Sequence, residues 1–128
     1  MLPTPRLART LAVLAIAANA YALFDPDPGG PALFPHADKV IHTLIFWVPT
    51  ALAVLGRWPV PWVAGGMLAY AAASEIIQAT MLPHRSGSWG DLFCDALGVG
   101  LGVVAGLRAR HYVYAPDAVV RMPARRDT

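Results

Sequence analysis

The chain has 128 residues, 56% of them hydrophobic and 14% charged, with a formal net charge of +2 and a mean hydropathy of +0.48. Soluble domains carry roughly 25% charged residues, so this composition excludes an ordinary water-soluble globule and points to a small integral membrane protein of one compact domain. The small charge gives no reason to expect a nucleic-acid partner, and a lone Cys94 excludes an internal disulfide.

Four apolar segments follow one another, each near the ~20 residues a helix needs to cross ~30 Å of hydrocarbon. The first runs from about Leu7 to Phe24. Within it Ala18-Asn19-Ala20 resembles a signal-peptidase site behind a basic start, and cleavage there would remove the first helix without inverting the others. The turn Asp25-Pro26-Asp27-Pro28-Gly29-Gly30-Pro31 separates it from the second segment, about Val40 to Gly56. Arg57-Trp58-Pro59 leads into the third, about Val60 to Leu82, with Pro49 and Pro61 positioned to kink or delimit their helices. Pro83-His84-Arg85-Ser86-Gly87-Ser88 precedes the fourth, about Asp91 to Leu107. Backbone groups have no partner in lipid outside helices or closed barrels, so the predicted fold is all-α with four transmembrane helices. Residues 1–110 form the membrane domain and 111–128 a solvated tail.

Eight of the ten basic residues, Arg6, Arg9, Arg57, Arg108, Arg110, Arg121, Arg125 and Arg126, fall on one side of this arrangement, and only Lys39 and Arg85 on the other. The asymmetry predicts that both termini are cytoplasmic. The chain is then a multi-pass membrane protein, and the Asp25–Lys39 and Pro83–Gly90 loops lie outside.

Polar residues inside the apolar segments converge toward that outer side. Asp38, Lys39 and His42 mark the outer end of the second helix, with Asp38 and His42 four apart on one face. Glu75 and Gln78 lie one to two turns below the outer end of the third. Ser88 and Asp91 open the fourth, with Asp95 a turn deeper. A carboxylate at the centre of a transmembrane helix costs ~2.5 to 3.5 kcal/mol on insertion scales. Two readings account for that cost: a pocket that binds or acts on a ligand, and a network in which Arg85 or Lys39 neutralises the acids and pins the helices together.

Asp91, Asp95, Gly98, Gly102 and Gly106 fall on one stripe of the fourth helix. Glycines at this spacing let backbones approach closely, and intramolecular packing is preferred here to a homodimer seam. Ser88-Trp89-Gly90-Asp91 reads as a capping box, in which Ser88 and Asp91 satisfy free N–H groups at the helix start.

The ordered set Asp38-Lys39-x-x-His42, Glu75-x-x-Gln78 and Pro83-x-Arg85-x-x-Ser88-x-x-Asp91-x-x-x-Asp95-x-x-Gly98-x-x-x-Gly102 resembles the VanZ-like family of small bacterial membrane proteins. The resemblance covers about Asp38 to Leu107. It departs at Asp95, where the family is expected to carry asparagine, so this chain has an additional carboxyl group. The resemblance implies a cell-envelope role linked to glycopeptide resistance of the teicoplanin type.

No arginine-and-histidine phosphatase signature, H-E-x-x-H zinc helix or paired-aspartate phosphatidyltransferase motif is present. Ser86 and Ser88 beside glycines read as turn or cap residues before nucleophiles. His42, Glu75, Asp91 and Asp95 are chemically able to hold a metal. They lack a tight ligand motif, so no metal ligand is assigned. Cys94 reads as a small apolar filler, and Trp47, Trp58, Trp62 and Trp89 as interfacial anchors.

The residues predict an outward-facing polar pocket, and the resemblance implies that it binds or acts on a membrane lipid or a lipid-linked or glycan envelope precursor. Glu75, His42 and Asp91 are the candidate catalytic residues, handling protons or a cation. Arg85 and Lys39 would contact an anionic headgroup, Gln78 and Asp95 would orient the pocket, and Asp38 and Ser88 complete the binding set. A non-catalytic lipid-binding or helix-packing protein fits the same residues. A small transporter would need a polar row continuing toward the inner ends of the helices, which the sequence lacks. Neither a cofactor nor an oligomeric state follows from the residues.

Overall fold

The computed structural model describes residues 3–27 and 30–114, so most of the tail expected at 111–128 lies outside the described residues. The described chain is helical, with no strand: α1 spans Pro5–Phe24, α2 Ala37–Leu55, α3 Val60–Met81 and α4 Trp89–Tyr114. All four are long and apolar enough to cross a membrane. The fourth runs past the expected end at Leu107 as far as Tyr114. The last part of α4 holds Arg108, Arg110 and His111, which reads as a solvated tail by composition alone but continues the helix.

Local chemistry sets the helix ends. Thr4 Oγ1 accepts the Leu7 N–H at 3.2 Å, and Pro5 occupies the first turn, where a missing N–H leaves nothing unpaired. The end of α2 is a Schellman turn with Arg57 at φ 65° where glycine is usual. Trp58 N–H donates to Ala53 O and Arg57 N–H to Val54 O. Pro61 delimits α3, whereas Pro49 lies inside α2.

A proline four residues after Ile45 cannot donate to the Ile45 carbonyl. Asn19 of α1 supplies that bond instead, its Nδ2 donating to Ile45 O at 2.7 Å. The Asn19 Oδ1 accepts the Tyr70 hydroxyl at 3.0 Å, so one buried amide ties α1, α2 and α3 together. Asn19 is therefore a packing residue within a continuous α1, inside the triplet that resembles a peptidase site.

The pair α2 and α4 is the most extensive helix contact, with α1 on α2 and α3 touching the other three. The glycine stripe makes this contact, as expected. A Cβ at Gly98 would collide with the Thr43 carbonyl, one at Gly102 would lie 2.7 Å from Trp47 O, and one at Gly106 2.7 Å from Ala51 O. Backbone against backbone is how helices associate where lipid removes the hydrophobic drive. Leu14, Val48, Leu68, Ile76, Leu101 and Val104 point outward, as lipid-facing side chains do.

The antiparallel order gathers unlike charges at opposite ends. At one end Arg9 Nε donates to Gly56 O at 2.7 Å, Arg57 stacks 4.9 Å over the Tyr114 ring and the Tyr114 hydroxyl donates to Pro3 O. The carboxylates collect at the other end, where α1 and α3 finish and α2 and α4 begin.

Candidate functional site

Three helices each place one ionisable side chain at the same level. His42 of α2, Glu75 of α3 and Asp95 of α4 are 7%, 7% and 0% exposed. His42 Nδ1 lies 2.8 Å from Asp95 Oδ1 and 3.9 Å from Glu75 Oε1. These three residues each offer one ligand atom, all within 4.8 Å of one another.

The acids are only half engaged. Glu75 Oε2 accepts the Ser88 main-chain N–H at 2.8 Å. Glu75 Oε1 and Asp95 Oδ2 are buried and accept no hydrogen bond from the described residues. Polar atoms without partners are costly in a low-dielectric interior. Two carboxylates therefore face one imidazole, and no lysine or arginine among the described residues lies within ion-pair distance of either acid.

The expected cations are committed elsewhere. Lys39 Nζ pairs with Asp91 Oδ1 at 3.0 Å and stands 3.6 Å from Asp38. On the network reading Arg85 or Lys39 neutralises the acids; Arg85 instead turns to α1, its Nε donating to Asp25 O at 3.1 Å and its Nη2 to Ala22 O at 2.7 Å. Carbonyls at a helix C-terminus lack intrahelical donors, and a guanidinium satisfies them. Gln78 likewise turns to α1, donating to Leu23 O at 2.9 Å. Neither residue joins the three-residue cluster.

Ser88 caps α4 as the sequence suggests, its Oγ accepting the Asp91 N–H at 3.0 Å. The reciprocal half of the box differs, because Asp91 turns to Lys39 and the Ser88 N–H goes to Glu75 of another helix. Asp91 is thus a neighbour of the cluster. Asp38 remains at the exposed rim.

His42 also lines a crevice of about 1020 Å³ between the end of α1, its following loop and the first half of α2. Asp25, Asp27, Asp38, His84 and Arg85 form its polar part, and Tyr21, Leu33, Ile41 and Ile45 an apolar wall. A polar mouth over an apolar wall suits an amphipathic molecule. The imidazole thus connects the crevice to the buried acids. Asn19 was missed as a functional contact from sequence. Its signal is the combination of an amide in an apolar helix with a proline inside a neighbouring one.

Family models, curated proteins and solved structures include no match to this chain.

Proposed function

We propose that this chain is a multi-pass protein of the bacterial cytoplasmic membrane, VanZ-like in its motif, that binds an amphipathic cell-envelope molecule through the crevice between α1 and α2. The reading places both termini in the cytoplasm, because Arg6, Arg9, Arg57, Arg108 and Arg110 belong to one end of the bundle and Lys39 and Arg85 to the other. The crevice then faces the outer leaflet.

One observation carries the proposal: the same crevice joins polar residues, Asp25, Asp27, Asp38, His84 and Arg85, to apolar ones, Tyr21, Leu33, Ile41 and Ile45. Arg85 uses part of its fork on Ala22 and Asp25 and keeps further N–H groups for a phosphate or carboxylate. A lipid-linked envelope precursor has this division between charged head and chain. Through such a ligand the protein would contribute to glycopeptide resistance.

Lipid retention tests this reading. Protein extracted gently with its native lipids should carry a headgroup-bearing species in native mass spectrometry. Ile45→Trp, which fills the wall while leaving the Ile45 carbonyl in place, should lose most of it. Equal retention by the two proteins would refute the crevice as the binding site.

A second reading is favoured by the number of motif residues spent on internal bonds. Gln78, Ser88 and Arg85 each hold a neighbouring element. On this reading the motif is a helix-packing scaffold without a ligand, and wild type should retain no specific lipid.

A further inference from the structure

The cluster at the meeting of α2, α3 and α4 has a chemistry that the crevice does not explain. Glu75 Oε1 and Asp95 Oδ2 are more than nine-tenths buried and accept no hydrogen bond from the described residues. The two described cations at this end of the bundle, Lys39 and Arg85, are bonded to Asp91 and to the end of α1. We propose that His42, Glu75 and Asp95 bind one divalent transition-metal ion of the zinc, manganese or ferrous class. This goes beyond the crevice reading and does not depend on its occupant.

Three observations support the assignment independently. First, the three donors are close enough to converge: His42 Nδ1 is 2.8 Å from Asp95 Oδ1 and 3.9 Å from Glu75 Oε1, and the ligand atoms lie within 4.8 Å of one another. Donors on a tetrahedral zinc ion stand ~3.3 to 3.6 Å apart, so side-chain rotations of about 1 Å close the cluster on one ion.

Second, the charges close. A neutral imidazole and two carboxylates balance a divalent ion, so the loaded cluster carries no net charge into the membrane. Third, one of the ligands is already supported. The Ser88 N–H fixes Glu75 from its other oxygen, as supporting hydrogen bonds orient carboxylate ligands in metal sites.

The donor set also selects the ion. Imidazole suits zinc and iron, and carboxylates also suit manganese. Calcium, which takes 6 to 8 oxygens at ~2.3 to 2.6 Å, is poorly served by so few. Asp95 is decisive here, because an asparagine at that position would supply neither the second negative charge nor a strong ligand oxygen.

The test uses tag-free full-length protein in detergent, stripped with a chelator and then equilibrated separately with Zn(II), Mn(II) and Co(II). Wild type should take up one ion per chain. His42→Gln, Glu75→Gln and Asp95→Asn should each weaken binding by more than the ~10- to 100-fold typical of losing a supporting residue. Cys94→Ala should bind as wild type does. X-ray absorption of the zinc-loaded wild type should show a single imidazole and otherwise oxygen ligands, which needs no variant to fold. No stoichiometric uptake of any of the three ions by folded protein would overturn the site. So would uptake that survives in folded ligand variants, or a shell containing sulfur or no imidazole.

Discussion

The Glu75 carboxylate of α3 accepts the Ser88 main-chain N–H at 2.8 Å, so one side chain both caps α4 and faces His42 and Asp95. These two duties separate by substitution. Glu75→Gln keeps an oxygen for Ser88 and should unfold within about 0.5 kcal/mol of wild type, whereas Glu75→Ala abandons the N–H and should lose about 1 to 2 kcal/mol. Thermal unfolding in one detergent measures both. Loss of the Glu75 charge should nevertheless disable the cluster with His42 and Asp95, so Glu75→Gln should abolish any envelope phenotype that depends on that cluster. Equal destabilisation by the two substitutions would remove the capping role.

Two glycines two residues apart on α4 make opposite demands. A Cβ at Gly100 meets nothing within 4 Å, whereas one at Gly102 would stand 2.6 Å from Thr50 Cβ. Gly100→Ala should therefore be neutral or gain up to about 1 kcal/mol from helix propensity. Gly102→Ala should lose about 1 to 3 kcal/mol through overpacking. The order of their unfolding midpoints checks the α2–α4 contact directly.

Arg85 holds the last turn of α1 through Ala22 O and Asp25 O. Arg85→Gln should cost about 1 kcal/mol locally, a roughly fivefold rise in hydrogen exchange confined to the end of α1. Arg85→Lys should recover only part of it, because an ammonium cannot reproduce the fork. A uniform rise across all four helices would instead assign Arg85 to the core of the bundle.

Cysteine labelling decides the membrane orientation. Gly87 is unsuitable, since a Cβ there would collide with the Glu75 carbonyl, and Gly30 sits at φ +87°. Ala32 and Ser86 are exposed alternatives at the acidic end, and His111 at the basic end. In a Cys94→Ala background, cysteines at Ala32 and Ser86 should react with an impermeant reagent applied outside, and one at His111 only after permeabilisation. The reverse pattern would invert the protein.

The helices were legible because apolar runs and Pro/Gly breakers alternate without ambiguity. The meeting of His42, Glu75 and Asp95 was legible too, since antiparallel helices bring residues at matched depths together. Rotation about each helix axis was not. Glu75 and Gln78 are three apart, yet one turns to His42 and the other to Leu23 O, and that divergence depends on where α1 packs. Arg85 misled for a related reason: its acceptors are main-chain carbonyls, which a search for opposite side-chain charges does not consider.

The bond from Asn19 to the Ile45 carbonyl bears on how the bundle is made. An unpaired carbonyl in hydrocarbon costs several kcal/mol, and Pro49 removes the regular helical donor to the Ile45 carbonyl. The donor is synthesised before the acceptor. With α1 inserted first, its amide waits beside the path that α2 takes, and the first hairpin acts as its own assembly guide. Replacing Asn19 with leucine should then slow insertion of the second helix more than it weakens the finished protein, because α3 and α4 still hold α2 in place.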